Sequence, residues 1–354
     1  MNNKFLLCVF FLLFFGSFKS QFNYDFVEVS HYDDSLCTYF VPDEQLFDEG
    51  WDLLPQPNFW RKVMKLSPDS CIINVAATRQ ILYYESFIDW KSQTEEEKDS
   101  VRNQIRMDYG LDTAELLYVT SGKNHFYDFK KVMPTLSKGI EVFEEQGVNP
   151  WYAQSILLIE SPGKIQYSSV GAYGPFQLMK SVARTYGLTV NRTIDERKNF
   201  VLSAIAASSL IRISCIPNAK RILDKQNIYY KEDDLWFKLF VLHIYHAGAG
   251  NVGKLIESMN PDYGGMWLIT EMWQNTYGGF KNASQNYSQV ALASNLILEE
   301  LVYSGCNEIY NCNESMYPLP EEKHIETMKI TDSIKSIIIK DSFTPIDSVN
   351  INLK

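Results

Sequence analysis

Apolar residues fall at helical spacing over most of the chain, and the polar positions between them mark where each helix meets water. The pattern predicts helical structure from about Thr78 to Leu117, with Lys91 to Arg106 as its solvated part. A second helix is expected over Phe129 to Phe143, with Pro134 tolerated early and Gly147 ending it. Asn149 and Pro150 then supply an N-cap and a first helical position for a short, strongly apolar helix that Pro162 and Gly163 stop. Further helices are expected from about Arg197 to Ile213, Leu235 to His246 and Ser284 to Tyr303. In the first of these Val201, Leu202, Ile205 and Leu210 are the main apolar positions, read as plain core. No period of roughly 20 to 50 residues recurs, so a repeat array is excluded.

The start of the chain reads as a leader. Lys4 precedes the apolar run Phe5 to Phe15, and Gly16 and Ser17 lead to a possible cut near Ser20. That run is shorter than the roughly 20 residues needed to cross a bilayer, so export with cleavage is expected, leaving no stable transmembrane segment; the alternative is a short retained anchor. Residues 21 to about 60 are rich in aromatics, Asp and Pro without periodicity, which suggests a wrapping segment. The expected organisation is a signal peptide over 1–20, a mainly helical extension over 21–104, a catalytic domain over 105–304 and a tail over 305–354.

Composition narrows the class. At 354 residues the chain has room for about two domains, and 45% hydrophobic with 14% aromatic residues excludes disorder as the dominant state. The formal charge is −10, and losing Lys4 and Lys19 with the leader makes it more negative still. With no run of Lys or Arg to track a phosphate backbone, nucleic acid is not an expected partner. Outside the leader stand Cys37, Cys71, Cys215, Cys306 and Cys312. Export permits disulfides; Cys306 with Cys312 suits a short loop, Cys37 with Cys71 is a looser pairing, and Cys215 is the expected buried, inert thiol.

Glu160 carries the chemistry. It ends the apolar helix after Pro150, four residues past Ile156 and three past Leu157, so the acid lies on their side. Burial disfavours the carboxylate, and the negative end of the helix dipole disfavours it again. A glutamic acid raised in this way holds a proton near neutral pH, as a general acid for a departing glycosidic oxygen must. The bland alternative is a boundary residue that escapes to solvent or pairs with a Lys.

Downstream, Gly171 to Met179 form a loop with two glycines and a proline, and Tyr245-His246-Ala-Gly248 ends one helix while Tyr287 begins another. His243 and His246 stand three apart on a helix, but no acidic or cysteine partner follows at a familiar spacing, so no metal and no cofactor are expected.

Taken together, Glu160-Ser161, Gly174-Pro-Phe-Gln177, Tyr245-His246-Ala-Gly248 and Tyr287 before an apolar helix arrive in one order. In that order they resemble the lytic transglycosylases of goose-type lysozyme-like fold, specifically the branch of membrane-bound transglycosylase D. Arg184-Thr-Tyr-Gly-Leu188 and Asp195-Glu-Arg197 stand where that branch carries similar words, and the likeness covers about residues 105 to 300.

The resemblance implies a mostly α-helical, lysozyme-like enzyme of the periplasm or cell envelope, acting on peptidoglycan glycan strands, with cell-wall assembly proteins as candidate partners. It implies cleavage of the β-1,4 bond between N-acetylmuramic acid and N-acetylglucosamine, with Glu160 as acid and then base and a 1,6-anhydro end as product. Ser161 would orient the sugar or the acid, Gln177 would contact substrate, and Tyr245 and Tyr287 would line the cleft, Tyr287 bonding Glu160. His246 stands where the family has Asn and is carried over as a substrate contact. Tyr173, Phe176, Trp267 and Trp273 are candidates to face sugar rings, and Asp195, Glu257 and Glu271 are acids that could fold into the cleft.

The chain departs from the family wording at His246, at Pro175-Phe176, at Ala283 and over Ser161 to Tyr167. The alternatives are a hydrolytic muramidase, a wall-binding or assembly scaffold with no turnover, and a helical envelope protein whose motifs match by chance. The tail from Tyr317 shows no wall-binding repeat.

Overall fold

The computed structural model describes residues 27–30, 37–161 and 167–309, and over these the chain is mostly α-helical. The leader, any bridge between Cys306 and Cys312, and the tail from Tyr317 lie outside the described residues. A short hairpin pairs β1 (Val27–Ser30) with β2 (Cys37–Phe40). The segment after it wraps over the helices, as its irregular composition suggested. The side-chain amide of Gln154 pairs with the backbone of Val41, accepting from N–H at 2.9 Å and donating to C=O at 3.0 Å. Asp43 forms a buried ion pair with Lys238. Gln45, in the single turn α1 (Gln45–Asp48), accepts from the backbone of Leu235 at 2.7 Å.

Next come α2 (Pro55–Lys65), β3 (Ser70–Val75), β4 (Ile81–Ser86), α3 (Phe87–Ser92), α4 (Glu95–Asp108) and β5 (Leu117–Ser121). The strands form one antiparallel sheet with β3 in the centre. Alternation along β3 divides its burial: Cys71, Ile73 and Val75 pack with Trp90 and Ile105, and Ile72 packs with Phe59 and Val63.

Two expectations are corrected here. The helical reading from about Thr78 to Leu117 is interrupted, because a strand occupies Ile81–Ser86 and another begins at Leu117, pairing on either side of β3. Cys71 is a free, buried thiol, so it forms no bridge with Cys37.

The helical body follows with α5 (Phe129–Glu145), α6 (Trp151–Glu160), α7 (Lys180–Thr185), α8 (Phe200–Leu210), α9 (Ile216–Lys225), α10 (Leu235–Ala247), α11 (Ala249–Met259), α12 (Met266–Gln274) and α13 (Asn282–Ile309). In α6 every residue from Trp151 to Ile159 is buried, and in α10 every residue from Leu235 to Ile244 is. Helices apolar all round belong inside a protein, so α6 and α10 form its centre, with the buried stretch of α13 beside them.

A π-helical stretch, Ile211–Cys215, joins α8 to α9 into one helix, Phe200–Lys225. Among the described residues it alone is long and apolar enough to cross a membrane by length and composition. Its inward stripe is Ala204, Ala207, Ile211, Cys215, Ala219 and Ile222. Val201 and Leu202 are exposed instead of buried, because small side chains let α8 lie close against its neighbour α5. Cys215 is free and buried, and burial pushes its thiol up to about 12.

Candidate active site

The capping at the start of α6 sets where its other end falls. Asn149 Oδ1 accepts from the backbone N–H of Trp151 at 2.9 Å, and the ten-residue helix closes on Glu160 as Ser161 turns away at φ −142°. Nine buried residues anchor the helix, which fixes where its last residue, Glu160, stands. Glu160 itself is half-buried, and burial raises it to about 7 against a counteracting bond from Tyr287. Among the described residues no other carboxylate contributes to that shift.

Tyr287, from the second turn of α13, donates its O–H to Oε1 of Glu160 at 2.8 Å. The His246 ring stacks on Tyr287, with centroids 4.4 Å apart and planes 26° apart, so the exposed imidazole backs the phenol. Tyr245 and Tyr127 complete the surround. For all three phenols burial is the largest cause of a raised pKa, and the charge of Glu160 adds to it. Tyr127 stands in the turn before α5 and no sequence pattern singled it out, since only long-range packing places it beside Glu160.

The loop after α6 is a tight hairpin. Tyr173 and Leu178 exchange backbone hydrogen bonds at 3.1 Å each, leaving Gly174-Pro-Phe-Gln177 as the turn. Gly174 has φ +87°, and a Cβ there would lie 2.0 Å from the carbonyl oxygen of Arg197, so only glycine fits. Gln177 adopts φ +45°, a strained conformation for a residue with a side chain. Its side-chain amide donates to the Gly174 carbonyl at 3.0 Å. Tyr245 Oη donates to the carbonyl of Phe176 at 2.6 Å, and Ser161 Oγ donates to that of Pro175 at 3.1 Å. Both residues therefore grip the hairpin, and Ser161 directs its hydroxyl to Pro175 and not to Glu160.

Arg197 fastens the other side. It donates through Nη1 to the carbonyls of Gly171 and Leu178 at 2.9 Å each, and forks onto Asp195 at 2.9 and 2.7 Å. That guanidinium holds the Asp195 carboxyl below the usual range, so Asp195 serves the hairpin and does not store a proton. Glu257 is exposed and paired with Lys225, which lowers it as well. Glu271, on α12, accepts a long contact from Asn275 at 3.5 Å.

Two of the aromatic candidates are core. Phe176 is fully buried and stacks on Phe143 at 5.5 Å, and Trp273 is buried with its N–H donated to Ser288. The exposed faces are elsewhere. Tyr167 and Tyr173 stack at 4.0 Å beside Arg197, and Tyr263 and Trp267 lie 4.6 Å apart. Tyr167 and Tyr263 were not distinguished in the sequence.

His243 is a buried packing residue. Ser288 Oγ accepts from Trp273 Nε1 at 2.7 Å and lies within hydrogen-bond distance, 2.8 Å, of His243 Nε2. Burial holds the imidazole down to about 3, so it is neutral near neutral pH. Among the described residues no group of three or more His, Cys, Asp or Glu side chains is placed to hold a metal ion.

No known family matches this chain, and no curated protein is detectably similar to it. The site must therefore be read from its own geometry: one carboxyl poised near neutral pH, three phenols around it, and a pinned glycine hairpin at its side.

Proposed function

We propose that this protein is an exported peptidoglycan lytic transglycosylase whose helical body is a goose-type lysozyme-like catalytic domain. The observation that supports it most is Glu160 itself, a lone acid at the end of a buried helix, raised to about 7 and bonded to Tyr287. Protonated Glu160 gives its proton to the glycosidic oxygen as the bond from C1 of the muramoyl residue breaks. The resulting carboxylate then takes the proton of the C6 hydroxyl, whose oxygen closes on C1 to form the 1,6-anhydro ring. Glu160 ends protonated and no water is consumed.

Ordinary glycosidases divide these duties between two carboxylates. Here Asp195 is committed to Arg197 and Glu257 to Lys225, which fits a one-acid scheme. Tyr287 bonds the carboxylate form, so it favours the base step as burial favours the acid step.

Mass spectrometry of purified sacculi incubated with the mature protein and with Glu160→Gln tests the reading. Anhydro-muropeptides from the first and none from the second are expected. Reducing muramic ends would instead mark a hydrolytic muramidase, binding without release would mark a scaffold, and equal release from both proteins would remove Glu160 from its role.

A further inference from the structure

Among the described residues Arg79 is the most deeply buried cation whose charge no carboxylate meets. It stands in the turn between β3 and β4 at φ +61° with 4% of its surface exposed. The rings of Phe59, Trp60 and Tyr118 lie 5.5, 5.8 and 5.3 Å from its guanidinium carbon. Among the described residues no acid lies within ion-pair distance, and the bonds of its guanidinium all go to asparagine oxygens, with the buried Nε left without a partner. Nη1 donates to Asn74 at 3.2 Å, and Nη2 donates to Asn282 at 3.1 Å and Asn286 at 2.6 Å.

For stability alone this is a poor arrangement. A buried cation without a counterion is usually bettered by an apolar residue of similar volume, and the start of a helix already carries positive partial charge. What the planar fork supplies is geometry. Asn282 and Asn286 lie one turn apart on α13, joined to each other at 3.1 Å, and the residue after Asn286 is Tyr287. Helix α2 adds a second grip further along, with Trp60 Nε1 donating to Gln289 at 3.0 Å and Arg61 and Lys65 meeting Glu300.

We infer that Arg79 is a positioning residue for the reaction proposed above, holding the first turns of α13 at the rotation where Tyr287 meets Glu160. The sheet unit that precedes the helical body is thereby part of the active site's mounting. The inference rests on that functional reading for its catalytic consequence, but its geometric core does not need a substrate.

The test uses the mature chain and three variants: Tyr287→Phe, the double variant Asn282→Ala/Asn286→Ala, and the triple variant combining them. The asparagine variant leaves Arg79, its bond to Asn74 and its aromatic setting in place, and circular dichroism establishes that each variant is folded before it is titrated. Infrared titration of carbon-13-labelled glutamate, with Glu160→Gln as blank, reads the Glu160 midpoint without substrate. Loss of the Tyr287 bond moves that midpoint to higher pH. The double variant is expected to move it in the same direction as Tyr287→Phe, and the triple variant no further. Release of anhydro-muropeptides should fall about tenfold in kcat with KM unchanged, the equivalent of one charge-assisted hydrogen bond. An unmoved midpoint in the folded double variant overturns the inference, as does a further shift in the triple variant. Expected midpoints with no muropeptides from any protein, wild type included, would uphold the positioning and remove the peptidoglycan reading.

Discussion

Tyr287 donates to Glu160 at 2.8 Å across 127 positions of sequence, joining the start of α13 to the last residue of α6. Two opposed effects meet there. Burial favours the neutral acid and the phenol favours the carboxylate, and burial prevails, leaving Glu160 at about 7. A group that must first give and then take a proton works best near that balance.

In the proposed reaction the acid step needs protonated Glu160, so the rate of the wild type is expected to fall as pH rises through about 7. Tyr287→Phe removes the bond that steadies the carboxylate, so this limb moves to higher pH. Turnover at the optimum drops about 10- to 100-fold, since hydrogen bonds to charged groups contribute about 1.5–3 kcal/mol. A pH–rate profile of anhydro-muropeptide release checks both. A limb that stays in place would show that Tyr287 does not act on Glu160.

Gly174→Ala should cost more stability than a surface change. The new methyl would press to 2.0 Å from the Arg197 carbonyl at a backbone angle that disfavours side chains. A loss of about 2 kcal/mol or more is expected, read as a fall in Tm of roughly 3 °C or more for a folded body of this size. Gly187→Ala is the control: it shares the positive φ, at +92°, but a Cβ there meets nothing within 4 Å. Equal losses in the two variants would remove the Arg197 contact as the cause.

How much of this the sequence disclosed varies by element. The helices ending in Glu160 and opening near Tyr287 were legible because their apolar residues are dense and Asn149, Pro150 and the glycines punctuate them. Strand β3 was not, because a strand buried on both faces loses the alternation that identifies strands. Val201 and Leu202 misled for another reason: weight by side-chain size favours them, while close packing of α8 selects Ser203, Ala204 and Ala207. Phe176 and Trp273 stood near motifs yet serve the core. Tyr127 and Arg79 reach the site through contacts more than 30 positions distant in sequence, which no local pattern carries.

The free thiols should differ little from each other in their inertness. Burial pushes Cys71 up to about 11 and Cys215 up to about 12, so neither is a thiolate near neutral pH. A maleimide is expected to leave both unmodified in the folded protein and to react after denaturation, followed by peptide mapping. Rapid labelling of Cys215 in the native protein would contradict the packing of the helix Phe200–Lys225 against α10.

Glu299 supplies a pH-dependent contribution at the opposite end of the buried helices. It accepts from the Asp43 backbone at 3.4 Å, and burial, reinforced by the Asp43 charge, raises it to about 7. An acid raised by folding contributes stability that is fully present below its unfolded pKa of 4.5 and is lost as pH rises through the folded value. The loss therefore falls between about 4.5 and 7 and amounts to about 3 kcal/mol at most. Glu160 contributes in the same sense, whereas His243, held down to about 3, gains stability up to its unfolded pKa of 6.5. The useful measurement is thus the difference between wild type and Glu299→Gln in urea midpoint at each pH. That difference should be smallest near pH 4.5, with Glu299→Gln increasingly the more stable protein up to pH 8. A difference that stays constant across this range would mean that Glu299 keeps an ordinary carboxyl in the folded chain.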